Sequence, residues 1–294
     1  MTPVGARSSA GRKVFVAVNT TYLLAIVAVT LYPFLNVVAQ SFSSEAAINA
    51  GTVNLVPRGF NVETYRFVMA DAMFWINYKN TVVYTVVATA ISLTLTTMFA
   101  YAVSRRYLPG RQFFIGVAVF TMFFSGGIIP NYVLISTLGM KDTIWSVVIP
   151  GAINVFNLLV MKTFFENLPT ELEEAAMIDG LGHFRTLLSI VLPLSKAIVA
   201  TMLLFYAVAH WNSWFPAFLY LSDREAFPIT VYLRNLIAGA ANTGTGAGGA
   251  SGLVSIASNI KAVTMFLTVL PILFVYPFIQ KHFVSGVMLG AVKG

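Results

Sequence analysis

Long apolar runs alternate with short polar segments along most of this 294-residue chain. An α-helix rises about 1.5 Å per residue, so about 20 apolar residues are needed to cross the hydrocarbon core of a bilayer. The pattern therefore predicts an all-α integral membrane protein with about six transmembrane helices. The predicted spans are residues 14–38, 76–103, 113–138, 144–165, 187–215 and 262–283.

The polar segments between the spans predict how the chain is organised. A tail of residues 1–13 precedes a single transmembrane domain, residues 14–294. Two connections, residues 41–75 and 221–259, are too long to be turns, and we expect both to be outer loops. The end of the first, residues 62–75, favours a short amphipathic helix at the membrane surface.

Polar residues inside the predicted spans have two interpretations. Thr85, Thr89, Ser92 and Thr96 follow one another at spacings of three or four residues, so they share one helical face. Such a face is either a packing seam between helices or one wall of a transport pathway.

The third and fourth predicted spans carry groups that are unusual in a bilayer. Residues 125–127 (Ser-Gly-Gly) and Pro130 interrupt the third span, which predicts a bend that either packs or lines a pathway. Asn154 and Asn157 lie one helical turn apart in the fourth span. Buried amides need partners, which come from another helix or from a ligand.

One polar segment, residues 167–193, interrupts the apolar pattern between the fourth and fifth spans. Five of the 11 acidic residues of the chain fall between residues 166 and 179. Acidic residues directly after Pro169 are typical of a helix N-terminus, because the helix dipole favours negative charge there. We expect Gly180 and Gly182 to end this helix. The acidic residues of the predicted first turns are Glu171, Glu173 and Glu174.

Composition and charge agree with a membrane protein. The chain is 57% hydrophobic and 10% charged, whereas a typical soluble domain has about 25% charged residues. The net charge of +7 is explained by Lys and Arg on the cytoplasmic side of a membrane, so we expect no nucleic-acid partner. If both termini are cytoplasmic, 11 of the 18 Lys and Arg residues face the cytoplasm. The same orientation makes the acidic segment 167–193 cytoplasmic.

The sequence lacks the motifs of an enzyme or of an ion-coupled transporter. It contains neither a Gly-x-x-x-x-Gly-Lys-Ser/Thr phosphate loop nor a His-Glu-x-x-His metal motif. We therefore expect no catalytic residue, no metal site and no cofactor bound by this chain. The predicted spans contain no carboxylate, which argues against transport driven by protons or sodium.

The acidic segment resembles the "EAA" loop of bacterial ABC importer permeases. The resemblance rests on Glu174-Ala175-Ala176, on Asp179-Gly180 and on the later residues 190–193 (Ile-Val-Leu-Pro). It implies the type I importer fold, with a coupling helix between spans 4 and 5 that sits in a cleft of an ATPase subunit. The residues that the resemblance assigns to ATPase coupling are Glu171, Glu174, Ala175, Ala176, Asp179 and Gly180.

The resemblance also implies partners and a location. The chain would be a multi-pass protein of the bacterial cytoplasmic (inner) membrane, in contact with membrane lipid. An ATP-binding cassette ATPase dimer would bind ATP and Mg, a second homologous permease would complete a heterodimer, and an extracytoplasmic solute-binding protein would deliver the substrate.

Two further stretches, residues 124–130 and 210–215, resemble the branch that takes up oligosaccharides, including uronic-acid fragments of pectin or alginate. Aromatic rings and polar side chains bind sugars through stacking and hydrogen bonds. We expect the substrate pathway to include Thr89, Ser92, Asn154, Asn157, Trp211, Asn212 and Trp214. For the tryptophans, the alternative is an interfacial aromatic belt.

Three alternative functions remain open from the residues alone. The chain could be the permease of an importer for another small solute, a channel or passive subunit, or a membrane-embedded enzyme that acts on glycans or lipids. The enzyme would need a His or Asp motif that acts together with the acidic cluster, and the sequence shows no such motif.

Overall fold

The protein is all-α in the part that the structure describes. This computed structural model describes residues 10–243 and 259–274, and no strand occurs in these two ranges. The first helices are α1 (Ala10–Ser41), α2 (Glu45–Asn49), α3 (Glu63–Ala70), α4 (Ala72–Ser104), α5 (Arg111–Phe123), α6 (Ile128–Thr137), α7 (Ile144–Val148) and α8 (Val155–Glu166). They are followed by α9 (Glu171–Ile178), α10 (His183–Thr186), a π-helical turn (Leu187–Val191), α11 (Leu192–Leu194), α12 (Lys196–Trp211), α13 (Phe215–Tyr220), a 3-10 turn (Arg224–Ala226), α14 (Ile229–Thr243) and α15 (Asn259–Phe274).

The described residues divide into two compact units. One contains residues 10–70 with 236–243 and 259–267, and the other contains residues 71–235 with 268–274. The single domain expected from the sequence stays a prediction.

In the first unit, α1 is a continuous apolar helix that matches the first predicted span. Its side chains are exposed from Gly11 to Leu35, as expected for a helix whose solvent is lipid. Near the end of α1, the Asn36 side chain donates to the Val53 and Asn54 carbonyls at 3.2 and 2.8 Å and so holds the following loop. The predicted amphipathic helix is present as α3, which buries Val68.

The core of the second unit lies where α4 packs against α8 and α12. Its centre is apolar: Leu158, Met161 and Phe165 of α8 meet Met202 of α12 and Tyr101 of α4. The α4 helix matches the second predicted span. It begins after Asp71, the N-cap, whose carboxylate accepts the Met73 N–H at 2.9 Å.

The other predicted spans are not straight helices. The third is divided into α5 and α6, which meet at 117° after Gly127 adopts a φ of +88°. The expected break is therefore confirmed, and it is a sharp turn rather than a loosened helix. The fourth span is wrong as one helix, since Gly151 at a φ of +80° separates α7 from α8.

The fifth predicted span is also shorter than expected. Residues 187–215 do not form one helix: the segment before Ser195 meets α12 at 89°. Pro193 contributes to this break, because it has no N–H to donate to the preceding turn. The straight helix that remains after the break, α12, has 16 residues.

By length and composition, α1 and α4 can each cross a membrane, and two more crossings result if each bent helix pair is one span. The start of the sixth predicted span coincides with α15, a shorter apolar helix, and its end at residue 283 lies outside the described residues. In the predicted outer loop 221–259, α14 was not foreseen, and residues 244–258 are also outside the described part.

Candidate coupling surface and transport pathway

The acidic segment folds into the predicted short helix, α9. Its first turn contains Glu171, Glu173 and Glu174, and the Thr170 carbonyl accepts the N–H groups of the last two at 3.0 and 3.1 Å. Carboxylates at this end interact favourably with the helix dipole. The helix therefore starts where the sequence predicts.

Gly180 ends α9 in a Schellman motif. Its φ is +74°, the Leu181 N–H donates to the Ala176 carbonyl at 2.9 Å, and the Gly180 N–H donates to the Met177 carbonyl at 3.0 Å. The expectation that Gly182 also stops this helix is wrong. Gly182 has an ordinary φ of −74° and is the N-cap of α10.

One face of α9 and of the residues that follow it is exposed and partly apolar. Ile178 is 86% exposed, and Met177, Phe184 and Leu188 are exposed beside it. Among the residues expected to couple, Ala176 is buried within the chain, at 1% exposure. The others, Glu171, Glu174, Ala175, Asp179 and Gly180, are exposed.

The opposite face of α9 is held by a buried ion pair that sequence reasoning missed. Arg105 Nη1 lies 2.5 Å from Glu173 Oε1, and both side chains are 9% exposed. Burial raises the pKa of the Glu173 carboxyl, while the charges of Arg105 and His183 oppose this rise. The only sequence signal was the basic cluster after the second span, which fits the positive-inside rule equally well.

A second set of charges lies next to this ion pair. Glu166, at the end of α8, pairs with Arg111 and, at 2.8 Å, with Lys162. Residues of both groups line a cavity of about 710 Å³. It is lined by Ser104, Arg105, Arg106, Tyr107, Arg111, Glu166, Asn167, Leu168, Thr170 and Glu173.

The polar face of α4 packs partly against α12. Ser92 Oγ lies 3.0 Å from His210 Nε2, and Thr96 Oγ1 lies 2.6 Å from the Tyr206 hydroxyl. The same hydroxyl accepts the backbone N–H of Asn154 at 3.1 Å, which ties α8 to the other two helices. These residues therefore form a hydrogen-bonded packing seam.

Other predicted pathway residues have no such bond or have a different role. Thr89 is buried and its hydroxyl has no hydrogen-bond partner within the described residues. Asn157 is buried on α8. Asn154 does not lie inside a helix as expected: it is the exposed N-cap of α8, and its side chain accepts the Asn157 N–H at 3.1 Å.

The two tryptophans at the end of α12 differ in environment. The Trp211 ring is buried against Tyr78, and its indole N–H donates to the Thr268 carbonyl at 3.2 Å. Trp214 is partly exposed, and the Arg234 guanidinium lies 4.7 Å from its ring centroid. The Asn212 amide is exposed but donates to the Val208 carbonyl at 2.8 Å.

Comparisons with known proteins place this architecture in a family. Residues 110–289 match the model described as "Binding-protein-dependent transport system inner membrane component". The chain belongs to this family. It is thus an ABC importer permease, a transport subunit in which hydrolysis of ATP is left to a separate ATPase.

Relatives of this permease cover nearly its whole length. Protein LplC of Bacillus subtilis is 39% identical over 98% of this chain and 97% of its own length. The polygalacturonan/rhamnogalacturonan transport system permease YtcP of the same organism is 40% identical over 93% of this chain and 96% of its own. Among solved structures, a chain of a bacterial ABC transporter involved in the import of the acidic polysaccharide alginate matches with a TM-score of 0.83. It is 31% identical, and the match covers 96% of this chain and 100% of that one.

The permease architecture confirms the fold predicted from the EAA-like segment. His, Asp and Glu residues form no group of three that could hold a metal ion in ranges 10–243 and 259–274. What the structure adds is the set of residues that hold α9, α8 and α12 in place: Arg105, Tyr206 and His210.

Proposed function

We propose that this permease imports an acidic oligosaccharide, of the kind released from pectin or alginate, across the bacterial cytoplasmic membrane by alternating access. One of the relatives is a permease of a polygalacturonan/rhamnogalacturonan transport system, and the structural neighbour belongs to a transporter for alginate. Both names refer to acidic polysaccharides. They support an acidic sugar more strongly than a neutral one.

The exposed face of α9 is the surface that docks on the ATPase in this proposal, and it is the single observation that carries the coupling role. Glu171 and Glu174 come seven and four residues before the almost fully exposed Ile178, and Asp179 follows it, so exposed carboxylates flank an apolar anchor along the helix. A protruding apolar side chain of this kind fits a pocket on a partner. In the intact importer, this partner is the cytoplasmic ATPase dimer with bound ATP and Mg.

The orientation follows from the same proposal. Docking on a cytoplasmic ATPase puts α9 inside the cell, and the count of Lys and Arg residues supports both termini on that side. A second permease subunit completes the pathway, and an external binding protein delivers the oligosaccharide.

Within the permease, we assign the substrate pathway to the predicted polar residues of α4, α8 and the end of α12. Thr89 supports this assignment best, because a buried hydroxyl without a protein partner is costly unless something else bonds it. Trp214 offers a ring that can stack on a sugar, and Arg234 above it offers a cation for a carboxylate. The remaining members are Asn154, Asn157, Trp211, Asn212 and Ser92, whose hydroxyl also contacts His210 in the packing seam.

The test is transport by the reconstituted importer, with uronate oligosaccharides and neutral ones of the same length. We expect Thr89→Val and Trp214→Leu to reduce uptake of both sugars, and Arg234→Gln to reduce uptake of the uronate alone. Thr94→Val is the matched control on the exposed face of α4, and Arg224→Gln is the matched control for charge.

Two outcomes would contradict different parts of the proposal. If the Thr89 and Trp214 variants transport at the parent rate, these residues do not line the path. If the parent protein prefers the neutral sugar, the substrate is not acidic, but the rest of the proposal is unaffected.

A further inference from the structure

The ion pair between Arg105 and Glu173 joins two segments with different tasks. Arg105 is the first residue after α4, and Glu173 is in the first turn of α9. Of the eight residues of α9, only Glu173 and Ala176 are buried. In the described part of the chain, Glu173 is also the one side chain of α9 that forms an ion pair or a hydrogen bond with another segment.

Behind the ion pair, contacts continue into the core of the second unit. The Arg105 guanidinium lies 4.6 Å from the centroid of the Tyr101 ring, on the last turn of α4. The Tyr101 ring in turn meets Phe165 of α8 edge to face, with 6.3 Å between the centroids. Arg105 therefore links Glu173 to closely packed helices.

A second contact from the same segment reaches the other side of the coupling loop. Tyr107 stacks on His183, at the start of α10, with 5.6 Å between ring centroids, and its hydroxyl lies 3.3 Å from His183 Nδ1. Residues 105–107 thus contact the helices on both sides of the turn at Gly180.

Stability alone does not explain the ion pair. Replacing a buried ion pair by apolar residues is often neutral or stabilising. Here the pair is also incompletely satisfied, because Arg105 Nε and Nη2 are buried and make no hydrogen bond within the described residues. A buried pair does fix the register of two elements, since neither charge can leave its partner without a large penalty.

We propose that Arg105 is a positioning residue for transport: through Glu173 it fixes α9 to the end of α4, so that movement of α9 moves the packed helices α4, α8 and α12. This inference rests on the proposed docking of α9 on the ATPase. It adds that the Arg105–Glu173 ion pair transmits the movement of α9 to the other helices of the permease.

The experiment measures oligosaccharide imported per ATP hydrolysed in proteoliposomes that hold the complete importer. Arg105→Gln and Glu173→Gln break the pair, and Arg105→Glu/Glu173→Arg exchanges its charges. Arg106→Gln is the matched control, because the neighbouring Arg106 is exposed and its replacement changes the net charge equally. Only complexes that retain the ATPase and melt at the parent temperature are compared, so that a loss of folding is not read as a loss of coupling.

We expect the two single variants to hydrolyse ATP but to import about tenfold less sugar per ATP, within the 5- to 150-fold typical of coupling between sites. The exchange variant should restore most of the sugar imported per ATP, and the Arg106→Gln control should import as much per ATP as the parent. If assembled Arg105→Gln imports at the parent ratio, the inference is wrong. It is equally wrong if no variant assembles, including the exchange variant and Arg105→Lys, since the pair would then determine folding.

Failure of the underlying proposal gives a different result. Ile178→Asp places a charge on the docking face of α9 and leaves the ion pair intact. If this variant retains the ATPase and full uptake, α9 is not the docking helix, whatever the Arg105 variants do.

Discussion

We expect a single substitution at Gly180 to uncouple transport from ATP hydrolysis. Its φ of +74° lies in the left-handed region, and it ends α9 in the Schellman motif. A Cβ atom built at this position meets nothing within 4 Å. Substitutions at Gly180 therefore disturb the backbone conformation without creating a steric clash.

The size of the effect follows from that geometry. The left-handed conformation costs an L-residue about 1–2 kcal/mol, so Gly180→Ala should lower the population of the native turn by a factor of about 5 to 30. Gly180→Asn should have a smaller effect, because Asn tolerates this region, whereas β-branched Gly180→Val should have a larger one. Gly182→Ala is the matched control: Gly182 has a φ of −74° and equally open surroundings, so we expect no loss.

Two measurements check the series. Hydrogen exchange of the Leu181 amide, which donates to the Ala176 carbonyl in the parent protein, reports how often the turn opens. Uptake per ATP hydrolysed in proteoliposomes reports the coupling. We expect exchange to accelerate and the uptake ratio to fall in the same order, Asn, Ala, Val, while the protein stays folded in the membrane.

Two results would refute this reasoning. Equal effects of Gly180→Ala and Gly182→Ala would mean that the left-handed backbone is not the cause. Normal uptake in Gly180→Val, with accelerated exchange at Leu181, would show that the turn geometry does not matter for coupling.

Two further predictions concern the orientation and the packing seam. Reporter fusions at residue 175 should be cytoplasmic and fusions at residue 245 external, because that orientation puts most Lys and Arg inside; the opposite result at either site overturns the topology and the coupling role. Tyr206→Phe removes the hydroxyl shared by Thr96 and the Asn154 N–H, and should lower the free energy of unfolding by about 1–3 kcal/mol, since the buried Thr96 hydroxyl loses its partner. A thermal or denaturant melt in detergent measures this, with the exposed Phe205→Leu as control, and an unchanged melt would mean that water replaces the hydroxyl.

The sequence alone determined the features that depend on neighbouring residues. The acidic turn at Glu171, Glu173 and Glu174 and the glycine at 180 predict where α9 begins and ends, because the helix dipole and the left-handed backbone act locally. The length of the apolar runs predicts α1 and α4, because the length needed to cross a bilayer is also read from consecutive residues. The family resemblance of the EAA-like segment was also readable from adjacent residues.

The tertiary structure decided how the other spans bend and which polar groups meet. Residues 125–127 and Pro130 predict a bend in the third span but not its angle of 117°. The apolar pattern did not predict the 89° turn before α12, because a helix in lipid is apolar on every side and its pattern carries no direction. For the same reason, the sequence does not predict that Ser92 contacts His210, 118 residues away, or that Arg105 pairs with Glu173. A side chain finds its partner across such distances only when the packed helices bring the two together, which no local spacing encodes.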